Sequence, residues 1–219
     1  MNGRDVPVLE AYVESAAQAE AALAAGATRL ELCGPGEGGL TPSEELVQEV
    51  ISFSPVPVHV MVRARAGDFV YNVEHLFQMG QAVDRARNAG AAGIVTGVLQ
   101  SDYTINRDWM AYLVARARPM QVVIHRAFDA TPDADRALDT LLALGVDGVL
   151  TAGHAPSALE GASAIARHVR RAGSSLEVIA GGGVRAANAR LLVDATGVRA
   201  VHARATDAAV FAALVTALR

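Results

Sequence analysis

Several ionisable and sulfur-bearing side chains of this sequence recur at two-residue spacing inside short β-branched runs. In the run 56–63, Val56, Val58, Val60 and Val62 share one parity, while His59, Met61 and Arg63 share the other. Successive strand side chains point to opposite faces, so the run predicts one apolar face and one face of imidazole, thioether and guanidinium. The run 28–33 divides in the same way, with Leu30 and Leu32 opposite Arg29, Glu31 and Cys33. Glu10 and Tyr12 share a parity in 8–13, as do His202 and Arg204 in 200–205. The run 121–128, continued by one residue, offers His125 and Asp129 on one side and Arg126 and Phe128 on the other. Carboxylates and imidazoles gathered on one face can pass protons, which makes Glu10, Glu31, His59, His125 and Asp129, with Arg63, the candidate catalytic residues. The same carboxylates and histidines with His202 could ligate zinc, manganese or iron, whereas the soft donors for Cu(I) are Cys33 and Met61. The purely structural alternative is a set of buried ion pairs, for example Glu31 with Arg63, because charge of this density must be paired when desolvated.

Eight such runs are spaced along the chain: 8–13, 28–33, 56–63, 93–99, 121–128, 148–153, 176–180 and 200–205. Each precedes an Ala- and Leu-rich segment of helical spacing: 15–25, 43–53, 73–88, 107–118, 132–144, 156–172, 185–194 and 207–218. Gly26, Gly90, Gly145 and Gly173 stop helices just before the next strand. Thr41–Pro42–Ser43 followed by Glu44 and Glu45 reads as a helix start with acids in its first turn. Parallel strands need helical crossovers, and eight βα units can close on themselves, so the pattern predicts an α/β fold: one (β/α)8 TIM-barrel domain over residues 1–219 with short loops. The rival, an open doubly wound sheet, lacks the GxGxxG turn after its first strand. In a barrel the polar parity becomes the lumen, and the working end is the mouth at the C-terminal ends of the strands.

Composition narrows the chemistry. All 19 basic residues are arginine, so a Schiff-base lysine, a pyridoxal-phosphate anchor and a P-loop lysine are excluded. A single cysteine excludes intrachain disulfides and CxxC centres. A net charge of −4 with a pI near 5.8 argues against a nucleic-acid surface. No uncharged apolar stretch is long enough for a membrane span, and MNGRDVPVLE has no leader-like core, so a cytoplasmic protein is expected. At the mouth, Gly181, Gly182 and Gly183 after the seventh strand occupy the place where many barrels bind phosphate, and with Arg126 and Arg204 they form the candidate anion site. The loops 34–43 and 63–71 carry further glycines and charges. His75, His154 and His168 fall on helix or loop positions and read as exposed or packed residues rather than ligands, and Met79 reads as a core residue of the third helix.

Arg29–Cys33, Glu37-Gly-Gly-Leu-Thr-Pro-Ser43, Val60–Arg63 with Gly67-Asp-Phe-Val-Tyr71, His125-Arg-Ala-Phe-Asp129, Val149–Gly153 with Ala158–Gly161, and Gly181–Gly183 together resemble the CutC copper-homeostasis family. The resemblance runs from the first strand to the eighth. It implies a TIM barrel, a cytoplasmic location and a role in copper tolerance or trafficking, with copper binding attributed to family members. Glu10, Glu31, Cys33, His59, Arg63, Asp68, His125, Arg126 and Asp129 match family positions at the mouth. The chain departs from the family at Ala64 and Ala66, where proline and glycine are common, and at Arg204, where serine is common.

Two functions follow as expectations. One is copper-ion binding through Cys33 and Met61. The other is an enzyme acting on a small anionic or phosphorylated metabolite. In that reading the arginines hold the anion, Glu31, His125 or Asp129 moves the proton, and a divalent metal could assist as a Lewis acid. A partner-binding scaffold with a residual pocket is the third possibility. The 52% hydrophobic content also predicts a homo-oligomer.

Overall fold

A computed structural model describes residues 6–35 and 38–219; Gly36 and Glu37 of the loop after the second strand lie outside them. The strands are β1 (Val8–Val13), β2 (Arg29–Leu32), β3 (Val58–Met61), β4 (Gly93–Thr96), β5 (Gln121–Ile124), β6 (Gly148–Thr151), β7 (Glu177–Gly181) and β8 (Ala200–Arg204). The helices between and after them are α1 (Ala16–Ala25), α2 (Glu44–Phe53), α3 (Val73–Asn88), α4 (Arg107–Ala117), α5 (Ala134–Ala143), α6 (Ala162–Ala172), α7 (Ala186–Thr196) and α8 (Ala208–Leu218). All strands are parallel and close in sequence order, β1 pairing with both β2 and β8. This is the (β/α)8 barrel the periodicity predicts. No helix among the described residues is long and apolar enough to cross a membrane.

Local chemistry sets the helix ends. Ser15, Ser43 and Asp133 accept from backbone amides in the first turns of α1, α2 and α5, satisfying donors that have no intrahelical partner. Gly26 ends α1 in the left-handed region at φ 102°. The barrel then buries two separate cores. Val58, Val60 and Val62 pack between sheet and helices with Leu30, Leu32 and Ile94. Inside the lumen, Tyr12, Cys33, Met61, Val95, Val123, Leu150, Ile179 and Ala200 form an apolar cluster of their own.

Several elements are shorter than their hydrophobic runs. β5 ends at Ile124; His125 adds one more ladder bond, to Thr96 O, and the chain then tightens into a 3₁₀ turn at Phe128–Ala130. Two-residue parity therefore stops at His125. Asp129 does not continue the lumen face, and Arg126 is not turned away from the mouth. α6 starts at Ala162 rather than 156; Gly161, just before it, packs directly on the Ala152 carbonyl, where any Cβ would lie 1.9 Å from the oxygen.

Candidate functional site

The lumen parity read from the strands places a polar column under the mouth. Register sets Glu10 of β1 beside Arg29 of β2 and His202 of β8, and Glu31 beside His59 of β3. Arg29 Nε donates to Glu10 Oε2 at 2.5 Å, and Arg29 Nη1 donates to Glu177 Oε2 at 2.8 Å across the barrel. His202 Nδ1 lies 2.8 Å from Glu10 Oε1, and His59 Nε2 lies 3.1 Å from Gln121 Oε1. The buried pair is thus Arg29 with Glu10, not Arg63 with Glu31. Arg63 stands beyond the end of β3 and donates instead to the carbonyls of Gly39 and Gly67.

Above the column lies a cavity of about 460 Å³. Glu31, Met61, His202 and Tyr12 project into it from the strands, and Arg63, Phe69 and His125 form one wall. The opposite wall is Arg126, Gly182, Gly183, Arg185 and Arg204. Gly182 and Gly183 sit at φ 105° and 73°, a conformation that favours glycine, and the Arg126 guanidinium lies against Gly182. Arg204 stacks 5.2 Å from the Tyr12 ring centroid, and Arg63 stacks 5.1 Å from that of Phe69. Of the sequence candidates, Glu31, Met61, Arg63, His125, Arg126, Gly182, Gly183 and Arg204 line this cavity; Glu10, Cys33 and His59 lie in the lumen beside it. Gly181 ends β7 against Leu150 and His202. Arg185 and Phe69 join the site although strand parity did not select them. Their signal was position, one just after the glycine turn and the other in the Gly-Asp-Phe segment.

Asp129 has other employment. Its carboxylate accepts from Thr151 Oγ1, from the Ala152 and His154 amides and from Arg126 Nε, clasping the β5 loop to the β6 loop. Asp68, in turn, is an exposed partner of Arg65. His168 is buried against Phe128, and Met79 belongs to the core between helices and sheet.

Burial tunes the ionisable groups in different directions. It pushes Glu31 up to about 7, with the His202 charge opposing. It would raise Glu10 too, but the His202 hydrogen bond and the Arg29 charge overcome it and hold that carboxyl at about 2. For His202 burial works downward, and the facing Glu31 and Glu10 carry its pKa above the ordinary value. His125 is held down to about 3 by burial and by the Arg63 charge. Its Nδ1 accepts from the Ala127 amide, so the neutral ring carries its proton on Nε2, a buried atom with no partner.

Copper finds few soft donors here. Cys33 is the only thiol, is fully buried, contacts Glu31 Oε1 through Sγ at 3.7 Å, and has its pKa pushed well up by burial and by Glu31. With one thioether beside it, this thiol gives only two soft donors, and it must lose its proton before it can ligate Cu(I). The harder donors Glu10, Glu31 and His202 place one ligand atom each within 4.8 Å of one another.

Comparison with known proteins agrees with this architecture over nearly the whole chain. The CutC family model matches residues 8–207. A CutC family protein of Vibrio parahaemolyticus is 40% identical over 197 residues, covering 89% of this chain and 80% of its own. The human copper homeostasis protein cutC homolog is 40% identical over 205 residues, covering 93% and 74%. The solved structure of a CutC from Streptococcus agalactiae superposes with a TM-score of 0.84 at 30% identity, covering 90% of this chain and 97% of that one. The chain belongs to the CutC family.

Proposed function

We propose that the mouth of the barrel is an enzyme site for a small phosphorylated metabolite. The observation that carries this reading is the convergence of Arg63, Arg126, Arg185 and Arg204 with the Gly182–Gly183 turn around one cavity that also receives Glu31. Guanidinium forks suit phosphate oxygens, and the turn leads into the N-terminus of α7, whose dipole favours an anion. With the phosphate held by Arg126, Arg185, Arg204 and the Gly182–Gly183 turn, the rest of the substrate faces Glu31, His125 and Arg63. Neutral His125 offers Nε2–H to a substrate oxygen on which negative charge develops, and Glu31 takes up and returns a proton. Calorimetric titration with inorganic phosphate tests the cradle. Saturable binding is expected, weakened at least about tenfold in an Arg126→Ala/Arg204→Ala double variant. No saturable binding, or equal binding by the double variant, rejects it.

Direct copper binding is the second reading, favoured by the adjacent lumen positions of Cys33 and Met61. It requires Cu(I) affinity, measured against a competing chelator, to fall in Cys33→Ala and Met61→Ala; unchanged affinity in both ends it.

A further inference from the structure

We propose that Glu10, Glu31 and His202 form a binding site for a divalent cation of intermediate hardness, Mn²⁺, Fe²⁺ or Zn²⁺, beneath the anion cavity. The three donors come from adjacent strands, β1, β2 and β8, whose ladder fixes their spacing. His202 Nδ1 stands 2.8 Å from Glu10 Oε1 and 3.9 Å from Glu31 Oε2. Donors around a four-coordinate cation at about 2.1 Å stand about 3.4 Å apart, so the ion would replace the proton now shared by His202 Nδ1 and Glu10 Oε1, with small side-chain shifts.

One buried atom points to a ligand here. Glu31 is only 2% exposed, yet its Oε2 has no hydrogen-bond partner. Buried polar atoms left unsatisfied are costly and ask for an explanation. The surrounding contacts also aim the donors. Arg29 holds Glu10 Oε2 and the Cys33 thiol holds Glu31 Oε1, leaving Glu10 Oε1 and Glu31 Oε2 turned toward His202. Such outer contacts orient first-coordination ligands in metal sites.

Donor chemistry favours the same assignment, since two carboxylate oxygens with one imidazole suit a divalent ion of intermediate hardness and select against Cu(I). Because Glu31 and His202 line the cavity, the ion would keep a coordination position open toward the bound anion. An ion held there would take Glu31 as a ligand in place of its proton-carrying role and would supply polarisation of a substrate oxygen beside the Nε2–H of His125.

Calorimetric titration of chelator-treated protein with Mn²⁺ and with Zn²⁺ tests the site. One equivalent per chain is expected for at least one of them, with affinity lowered at least about tenfold in Glu31→Gln. A crystal soaked in Mn²⁺ guards against misfolded variants, since an anomalous peak among the three donors supports the site and a peak only elsewhere overturns it. Stoichiometric binding that Glu31→Gln leaves unchanged also overturns it. Phosphate titration of the metal-free protein reads the anion cradle separately, so either idea can fail alone.

Discussion

Replacing His125 with asparagine should make the protein less sensitive to acid, because the native imidazole is buried as a neutral donor. The asparagine Oδ1 can still accept the Ala127 amide in place of Nδ1, while the titrating ring is gone. The unfolded chain protonates this histidine below pH 6.5, but the folded chain resists protonation down to about 3. The residue's contribution is therefore complete above pH 6.5 and is lost as pH falls toward 3. Integrating that difference gives a loss of about 2 kcal/mol at pH 5 and about 3 kcal/mol at pH 4. Urea unfolding followed by circular dichroism, at pH 8, 6 and 5, measures it in both proteins. Other groups titrate in both, so the difference between the two curves isolates position 125. His125→Asn should start lower at pH 8, having lost the ring packed 4.7 Å from the Phe69 centroid. Between pH 8 and pH 5 it should lose about 2 kcal/mol less than the wild type. Parallel stability curves would refute the reasoning, as would a folded-state titration of His125 near 6.5 by NMR.

Asp129→Ala should cost about 3–5 kcal/mol by leaving Thr151, the Ala152 and His154 amides and Arg126 without their acceptor, a loss read from chemical denaturation. A stability near wild type would show that the clasp between the β5 and β6 loops is dispensable. Gly161→Ala should destabilise by about 1–3 kcal/mol or more, since its Cβ would lie 1.9 Å from the Ala152 oxygen and backbone must move. An unchanged melting temperature would contradict that close approach.

Strand three shows why the barrel was legible. Its valines and its polar residues occupy opposite parities, and in the structure Val58, Val60 and Val62 face the helices while Met61 enters the lumen cluster. The eight βα units follow from the same period, because each run must bury one face against helices and one against other strands. The site was legible only as far as strand geometry extends. Glu10, Glu31 and His202 were found because they stand inside strands. Asp129 was misplaced because a 3₁₀ turn breaks the period after His125, and turn geometry depends on contacts with the β6 loop that are remote in sequence. Pair choice was equally hidden. Arg29 meets Glu10 and Glu177 through barrel closure, which joins residues 148 positions apart, whereas shared inward parity alone allows Arg63 with Glu31 just as well.

That closure gives Arg29 a part in topology. Eight similar βα units packed by aliphatic side chains alone leave neighbouring alignments close in energy, since a valine or leucine accepts many partners. Arg29 bonds to the strands on either side of the closing seam's β8, namely β1 and β7, from its own place on β2. A slip of β2 by one residue would turn Arg29 and Glu31 outward into the aliphatic layer beneath the helices and strand Glu10 and Glu177 inside. The lumen charges therefore act as a lock with one key position, penalising every misaligned barrel more heavily than they stabilise the correct one.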